Sequence, residues 1–247
     1  MTGSRSAEIR AFLTRCGWEH ARSDHLAGDA SARQYLRLAK QSETAILMDA
    51  DPASGERVDR FIAVGEWLLS QGHSAPRILA SDPERGFVLL EDLGDDLFAR
   101  LTAADATREE ELYLAATDLV IDLQRHRPPD FLATGGAHEL AALTRVIPDW
   151  YLRGIDETPN PAALRIQPLI AELFTSLGGS TSVVSLRDFH AENLLWLPDR
   201  RGTARVGILD FQDAFVTDPA YDLVSLFQDA RRDVSTDVEA ACLRHYL

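Results

Sequence analysis

Residues 186–196 read LRDFHAENLLW. An aspartate, a histidine, a glutamate and an asparagine fall within six positions and run straight into an apolar stretch. Asp188 and Asn193 stand five apart, and Asp210 ends a later apolar run, GILDFQDA. This set suits phosphoryl transfer, a reaction that asks little covalent work of a protein. A carboxylate must orient a hydroxyl and accept its proton, and oxygen atoms must hold a hard divalent cation on the phosphates. Asp188 fits the first task; Asn193 and Asp210 fit the second. Either aspartate alone reads more readily as a turn or strand-capping residue. The ordered set, joined by a hairpin and followed by DPAYDL, argues against that.

Such groups work only when rigid elements hold them. NLLWL, the turn PDRRGTA and RVGILDF make a β-hairpin that returns the chain and brings Asp210 toward Asn193. Upstream, SAEIRAFLTRCG has Ile9, Phe12, Leu13 and Cys16 at helical spacing, with Gly17 as a stop. GDASARQYLRLA passes from a turn into alternation, Tyr35, Arg37 and Ala39 against Leu36 and Leu38, and TAILMDA reads as a buried strand. SGERVDRFIAVGEWLLSQG is an amphipathic helix with Val58, Phe61, Ile62, Leu68 and Leu69 on one face, started at Ser54 and stopped at Gly72. APRILASD and GFVLLEDLG are two strands turning at SDPERG. Residues 18 to 91 thus read β-β-helix-β-β.

After Gly94 the pattern turns helical. REEELYLAATDLVIDLQRH, HELAALTRVIPDWYLRG and PAALRIQPLIAELFTSLGG are three helices before the hairpin; PAYDLVSLFQDARR and DVEAACLRHYL are two after it. The expected fold is α+β and bilobal: a small β-rich lobe over 1–93, a linker near Glu91–Asp96, and a larger helical lobe over 94–247. A ligand cleft is expected between them. Trp67, Trp150 and Trp196 sit in apolar stripes and are expected in the core.

The 247 residues suffice for such a two-lobed core, and 45% hydrophobic with 26% charged residues is ordinary for a globular chain. A net charge of −14 argues against a nucleic-acid partner, which needs a basic face. No apolar run is long enough to span a membrane, and the N-terminus MTGSRSAEIRAF lacks an apolar signal core, so a cytoplasmic protein is expected. Cys16 and Cys242 have no metal-binding spacing and read as reduced thiols.

LRDFHAEN, LDFQDA and DPAYDL resemble the H-G-D-x-H-x-x-N loop, D-F-E/Q and D-P-x-x-D-L of the aminoglycoside phosphotransferase and choline kinase superfamily, which has a protein-kinase-like fold. GDASARQY, ILMDADP and GFVLLEDLGDDLF look closest to one branch, the anomeric N-acetylmuramate and N-acetylglucosamine kinases of cell-wall recycling. The resemblance implies an ATP- and Mg²⁺-dependent enzyme with a small-molecule amino-sugar acceptor. Asp188 would be the base, and Asn193 and Asp210 the Mg²⁺ ligands. Ala30, Ser31, Ala32 and Arg33 would cover the phosphates, and Glu91 to Leu93 would form the hinge that pairs with adenine. His190 and Glu192 would read acceptor hydroxyls, unless they only brace the loop and face solvent. Asp222 would hold the catalytic loop from behind.

Three departures stand out. Met48, counted among the nucleotide-site residues, occupies the place of the lysine that should reach the nucleotide phosphates, which leaves Arg33 or Arg37 to supply the charge; the sugar-kinase branch also tends to read MDAP there. Leu186 and Arg187 replace the usual His-Gly, with Arg187 expected in a structural ion pair. The chain also stops within an apparent helix, ACLRHYL, where relatives continue, so a shortened and impaired protein is an alternative expectation. The remaining alternatives are an aminoglycoside or other small-alcohol kinase, a non-catalytic nucleotide-binding protein, and a Mg²⁺-dependent phosphohydrolase using Asp188 and Asp210.

Overall fold

The computed structural model of the chain describes residues 3–26, 33–155, 163–178 and 182–247. Strands β1 (Arg22–His25), β2 (Gln34–Lys40), β3 (Glu43–Asp49), β4 (Ile78–Asp82) and β5 (Phe87–Glu91) form one antiparallel sheet in the order β1-β2-β3-β5-β4. Alternation along β3 divides its side chains between two cores. Ala45 and Leu47 join Leu36, Leu38, Phe87 and Leu89 beneath helix α1 (Gly3–Arg15), which contributes Ile9 and Phe12. Ile46 and Met48 face the other way, with Val88 and Leu90, toward helix α2 (Asp59–Ser70) and its Phe61, Val64 and Leu68. Arg5 of α1 donates to the buried Asp49 carboxylate, which ties the helix to the sheet.

Residues 92–97 leave the sheet for α3 (Phe98–Ala104) and α4 (Glu109–Leu123). Leu112, Tyr113, Ala116, Leu119, Val120 and Leu123 make α4 the central helix of this part. It packs on α9 (Thr236–Tyr246) through Val238 and Cys242, and on α8 (Tyr221–Phe227) through Leu223, Leu226 and Phe227. Helices α5 (Ala137–Leu143), α6 (Leu152–Ile155) and α7 (Ile166–Ser176) lie to one side. Two short ladders complete the fold, β6 (Val183–Ser185) with β9 (Phe215–Thr217) and β7 (Leu194–Trp196) with β8 (Val206–Ile208). The α2–β4 turn joins the two parts: Ile208 donates to the Ser74 carbonyl, and the Ser74 hydroxyl donates to Ala204. The architecture is α+β, bilobal and protein-kinase-like. No helix among the described residues is long and apolar enough to cross a membrane.

Several elements differ from expectation. Strand β1, RSDH, is exposed along its whole length and carries no hydrophobic alternation; only pairing with β2 defines it. Helix α3 and the three-residue strands β6 and β9 are too short for a periodic signal. Ser54 does not start α2. It ends a 3₁₀ turn capped by Asp51, and α2 begins after Val58 with no side-chain cap. The single helix expected over 138–154 breaks into α5, a π-helical turn Ile147–Tyr151 and α6. Pro148 lacks the N–H that a continuous helix needs there. Trp150 stands 79% exposed on that turn, outside the core, whereas Trp18 and Trp196 are buried. Both cysteines are free, Cys242 buried and Cys16 half-buried.

Candidate active site

The 186–193 loop hangs on one buried carboxylate. Asp222, 1% exposed, accepts from the Ser185 hydroxyl at 2.6 Å and from the backbone N–H groups of Leu186 at 2.8 Å and Arg187 at 3.1 Å. On the other side of Arg187, the Ser225 hydroxyl donates to its carbonyl at 3.0 Å. These bonds hold Arg187 at φ 71°, a left-handed conformation that favours glycine. That is why glycine precedes the aspartate in the motif this loop resembles; here the clamp imposes the same turn on an arginine. No ion pair involves the Arg187 guanidinium among the described residues, contrary to expectation. Burial pushes the Asp222 carboxyl up to about 6, against the opposing pull of its three donors.

Beyond the clamp, the Asn193 side-chain nitrogen donates to the Asp188 carbonyl at 2.9 Å and lies 3.3 Å from His190 Nε2. Both contacts use the amide nitrogen, so Asn193 Oδ1 remains available. The Asn193 carbonyl accepts from Leu209 N–H, which pins the start of β7 to the end of β8 and delivers Asp210 to the loop. Asp210 also sits at positive φ, 54°, and accepts from Gln212 at 2.7 Å. The Asp188 carboxyl is held above its ordinary value, first by burial and next by the charge of Asp210. Two carboxylates and an amide oxygen thus share one half-buried corner. This hard, oxygen-only donor set fits Mg²⁺, and a cation there would relieve the repulsion between the two aspartates. Phe211, fully buried, stacks on Phe61 of α2 with ring centroids 4.8 Å apart, and Arg60 donates to the Ala214 carbonyl at 2.6 Å. Helix α2 therefore sets the position of the 210–214 segment.

On the sheet side, Ala30, Ser31 and Ala32 lie outside the described residues. Arg33 pairs with Glu56 at 2.9 Å, just ahead of α2. Met48 is 0% exposed among apolar side chains, so it presents no surface to a nucleotide; its assignment as a nucleotide-contacting residue is corrected to a core role. Arg37 is not available for phosphate: it is bound to Asp92 at 2.8 Å and Asp95 at 2.7 Å, bridging β2 to the linker and holding the Asp95 carboxyl low. The Glu91 side chain is paired with Arg77 and Arg200. Leu93 has no backbone–backbone hydrogen bond among the described residues. A cleft of about 490 Å³ opens between residues 91–96 and 196–200. His190 is 5% exposed, with Nε2 3.3 Å from the Asn193 side-chain nitrogen, and its Nδ1 has no hydrogen-bond partner among the described residues. Glu192 is exposed at the rim and 3.5 Å from Arg231. The sequence reading missed Ser225 and placed Phe61 only on the apolar face of its helix; the packing against the loop and against Phe211 shows only in the structure.

Solved phosphotransferases share this fold. An aminoglycoside-3'-phosphotransferase of type VIII superposes with a TM-score of 0.70 over 99% of this chain and 91% of its own, at 18% identity. A choline kinase from Streptococcus pneumoniae superposes at 0.72 over 99% and 81%, at 14% identity. Residues 25–247 match the phosphotransferase enzyme family, and the chain belongs to it. An N-acetylmuramate/N-acetylglucosamine kinase of Caulobacter vibrioides is 39% identical over 283 aligned positions, covering all of this chain and 78% of the relative. The protein of the same name from Pseudomonas aeruginosa is 32% identical over 92% of this chain and 69% of its own. A third, from Pseudomonas putida, is 32% identical, and the chain spans 58% of its length.

Proposed function

We propose that this protein transfers the γ-phosphoryl group of ATP to the anomeric hydroxyl of an N-acetylated amino sugar, N-acetylmuramate or N-acetylglucosamine. The acceptor rests on the 39% identity to the Caulobacter kinase. The chemistry rests on one observation: the Asn193 amide is locked onto the Asp188 backbone, with the Asp210 carboxylate brought alongside. In this reading Asp188 orients the sugar hydroxyl and takes its proton as the O–P bond forms. Asn193 Oδ1 and Asp210 hold Mg²⁺, which, when bound, neutralises charge on the phosphates. Residues 1–93 form the nucleotide lobe and 94–247 the acceptor lobe. Arg33 supplies the positive charge near the phosphates, the residue 30–32 backbone covers them, and the Leu93 backbone takes adenine. Glu192, at the rim, is a loop candidate for contact with acceptor hydroxyls. Dependence on ATP favours a cytoplasmic location.

The test is ATP turnover with N-acetylmuramate, N-acetylglucosamine, choline and kanamycin under one condition. Turnover on the two sugars, with product phosphate on the anomeric oxygen, is expected. Preference for kanamycin or choline overturns the acceptor assignment. Absence of turnover on all four overturns the catalytic reading.

A further inference from the structure

A second cluster of ionisable groups lies where the two parts of the fold meet, outside the 186–213 segment. His73 follows Gly72, whose left-handed φ of 89° ends α2 and turns the chain. Asp122 lies in the last turn of α4, and His126 follows four residues on, in the turn just after the helix. His73 Nδ1 lies 4.0 Å from Asp122 Oδ2, and His126 Nε2 lies 3.8 Å from the same oxygen. The two imidazole rings meet edge to face, 5.5 Å between centroids.

These distances are too long for hydrogen bonds. His73 is 2% exposed, and neither of its ring nitrogens has a hydrogen-bond partner among the described residues. His126 Nε2 is also buried and unpartnered. A buried polar atom without a partner is costly, and native interiors rarely leave several together. One ligand atom from each of the three residues falls within 4.8 Å of the others. Burial holds the His73 imidazole below its ordinary pKa, so it is neutral and carries the lone pair that a metal takes.

We propose that His73, Asp122 and His126 form a binding site for a zinc-type divalent cation. Two neutral imidazoles and one carboxylate are the donor set of zinc, whereas Mg²⁺ and Ca²⁺ take oxygen. At zinc–ligand distances of about 2.0–2.1 Å, tetrahedral donors sit about 3.4 Å apart. The donors here need to close by about 0.5–1.5 Å from the observed spacing, which side-chain rotation supplies. Asp122 and His126 are only partly buried, so the side of the cluster they form reaches the surface, from which a metal can enter. The cation cross-links the turn after α2 to the end of α4. That turn is already docked on β8 through Ser74. The site is therefore a structural clamp between the two parts, distinct from the oxygen-only corner at Asp188 and Asp210.

The experiment uses the tag-free full chain after dialysis against a chelator. Zinc is titrated in competition with a chromophoric chelator, cobalt absorbance reports ligand geometry, and thermal melting is followed with and without zinc. The wild type should bind one zinc per chain, give four-coordinate cobalt bands, and melt several degrees higher with zinc. His126→Asn and Asp122→Asn should each weaken zinc binding at least about tenfold. His126 is partly exposed, so its variant should melt like the wild type when no metal is present. Asp210→Asn should leave zinc binding unchanged, and millimolar Mg²⁺ should not displace the metal. Failure of the wild type to bind zinc overturns the proposal. So does zinc binding that survives both cluster substitutions, or that is lost in Asp210→Asn and kept in His126→Asn.

Discussion

The Asn193 side-chain nitrogen donates to the Asp188 backbone carbonyl at 2.9 Å. This bond spans the five-residue gap and closes the loop on itself. It uses the amide nitrogen, so Oδ1 is left without a hydrogen bond among the described residues. A loop closed this way needs little reorganisation to receive a cation, which is the kind of preorganisation that phosphoryl transfer exploits.

Asp188 and Asp210 should therefore separate by role. Asp188→Ala is expected to lower kcat by about 10²–10⁴ while leaving Mg·ATP affinity near that of the wild type, because the base acts on the acceptor. Asp210→Asn is expected to raise the Mg²⁺ midpoint of nucleotide binding by about tenfold or more. Magnesium titrations of a nucleotide-binding signal in both variants decide it. Equal midpoints would remove the division of labour.

Phe61 couples α2 to the Asp210 segment through Phe211. Phe61→Ala opens a cavity in a closely packed site and should cost about 3–5 kcal/mol in denaturant unfolding. It should also weaken Mg²⁺ dependence, because Phe211 adjoins Asp210. Phe61→Leu should recover most of the stability and less of the metal affinity, since the ring stacking is gone. A Phe61→Ala variant with unchanged Mg²⁺ response would show that α2 does not position Asp210.

Met48→Lys should not raise activity. The position is 0% exposed and lies among apolar side chains. A buried ammonium without a partner is expected to cost several kcal/mol, of order 3. Arg33→Ala should instead raise KM for ATP about tenfold, the size of a lost charge-assisted contact. A gain in turnover from the lysine, with no effect of the arginine change, would falsify the relocation of charge to Arg33.

Asp222 should leave a signature in stability against pH. Its folded-state pKa is raised from 3.8 to about 6 by burial. The folded protein keeps the proton over a range where the unfolded chain has released it. The contribution is thus complete below the unfolded value and is lost as pH rises through the folded one. About two pH units correspond to about 3 kcal/mol. Asp222→Asn removes this titration, and its amide also faces two N–H donors, so the variant should be less stable throughout. The stability advantage of the wild type over the variant should shrink by up to about 3 kcal/mol between about pH 4 and about pH 7. Urea unfolding across that range is the measurement; a constant difference would contradict the assigned cause.

The sequence by itself determined the parts whose signal is local. Asp188, Asn193 and Asp210 stood out by their order and spacing alone, and the fold brings the segments that carry them together. Helix α4 and strands β3 and β5 were legible because burial writes a period into the chain. Tertiary structure decided what depends on partners far apart in sequence. Strand β1 exists because β2 pairs with it; Trp150 leaves the core because Pro148 breaks the helix beneath it. Arg37 serves the linker because Asp92 and Asp95 meet it across more than fifty residues. The same holds for His73, Asp122 and His126. No spacing in the chain announces them as a group, since their proximity is produced by a turn docking on a helix end, and only that packing leaves their nitrogens buried without partners.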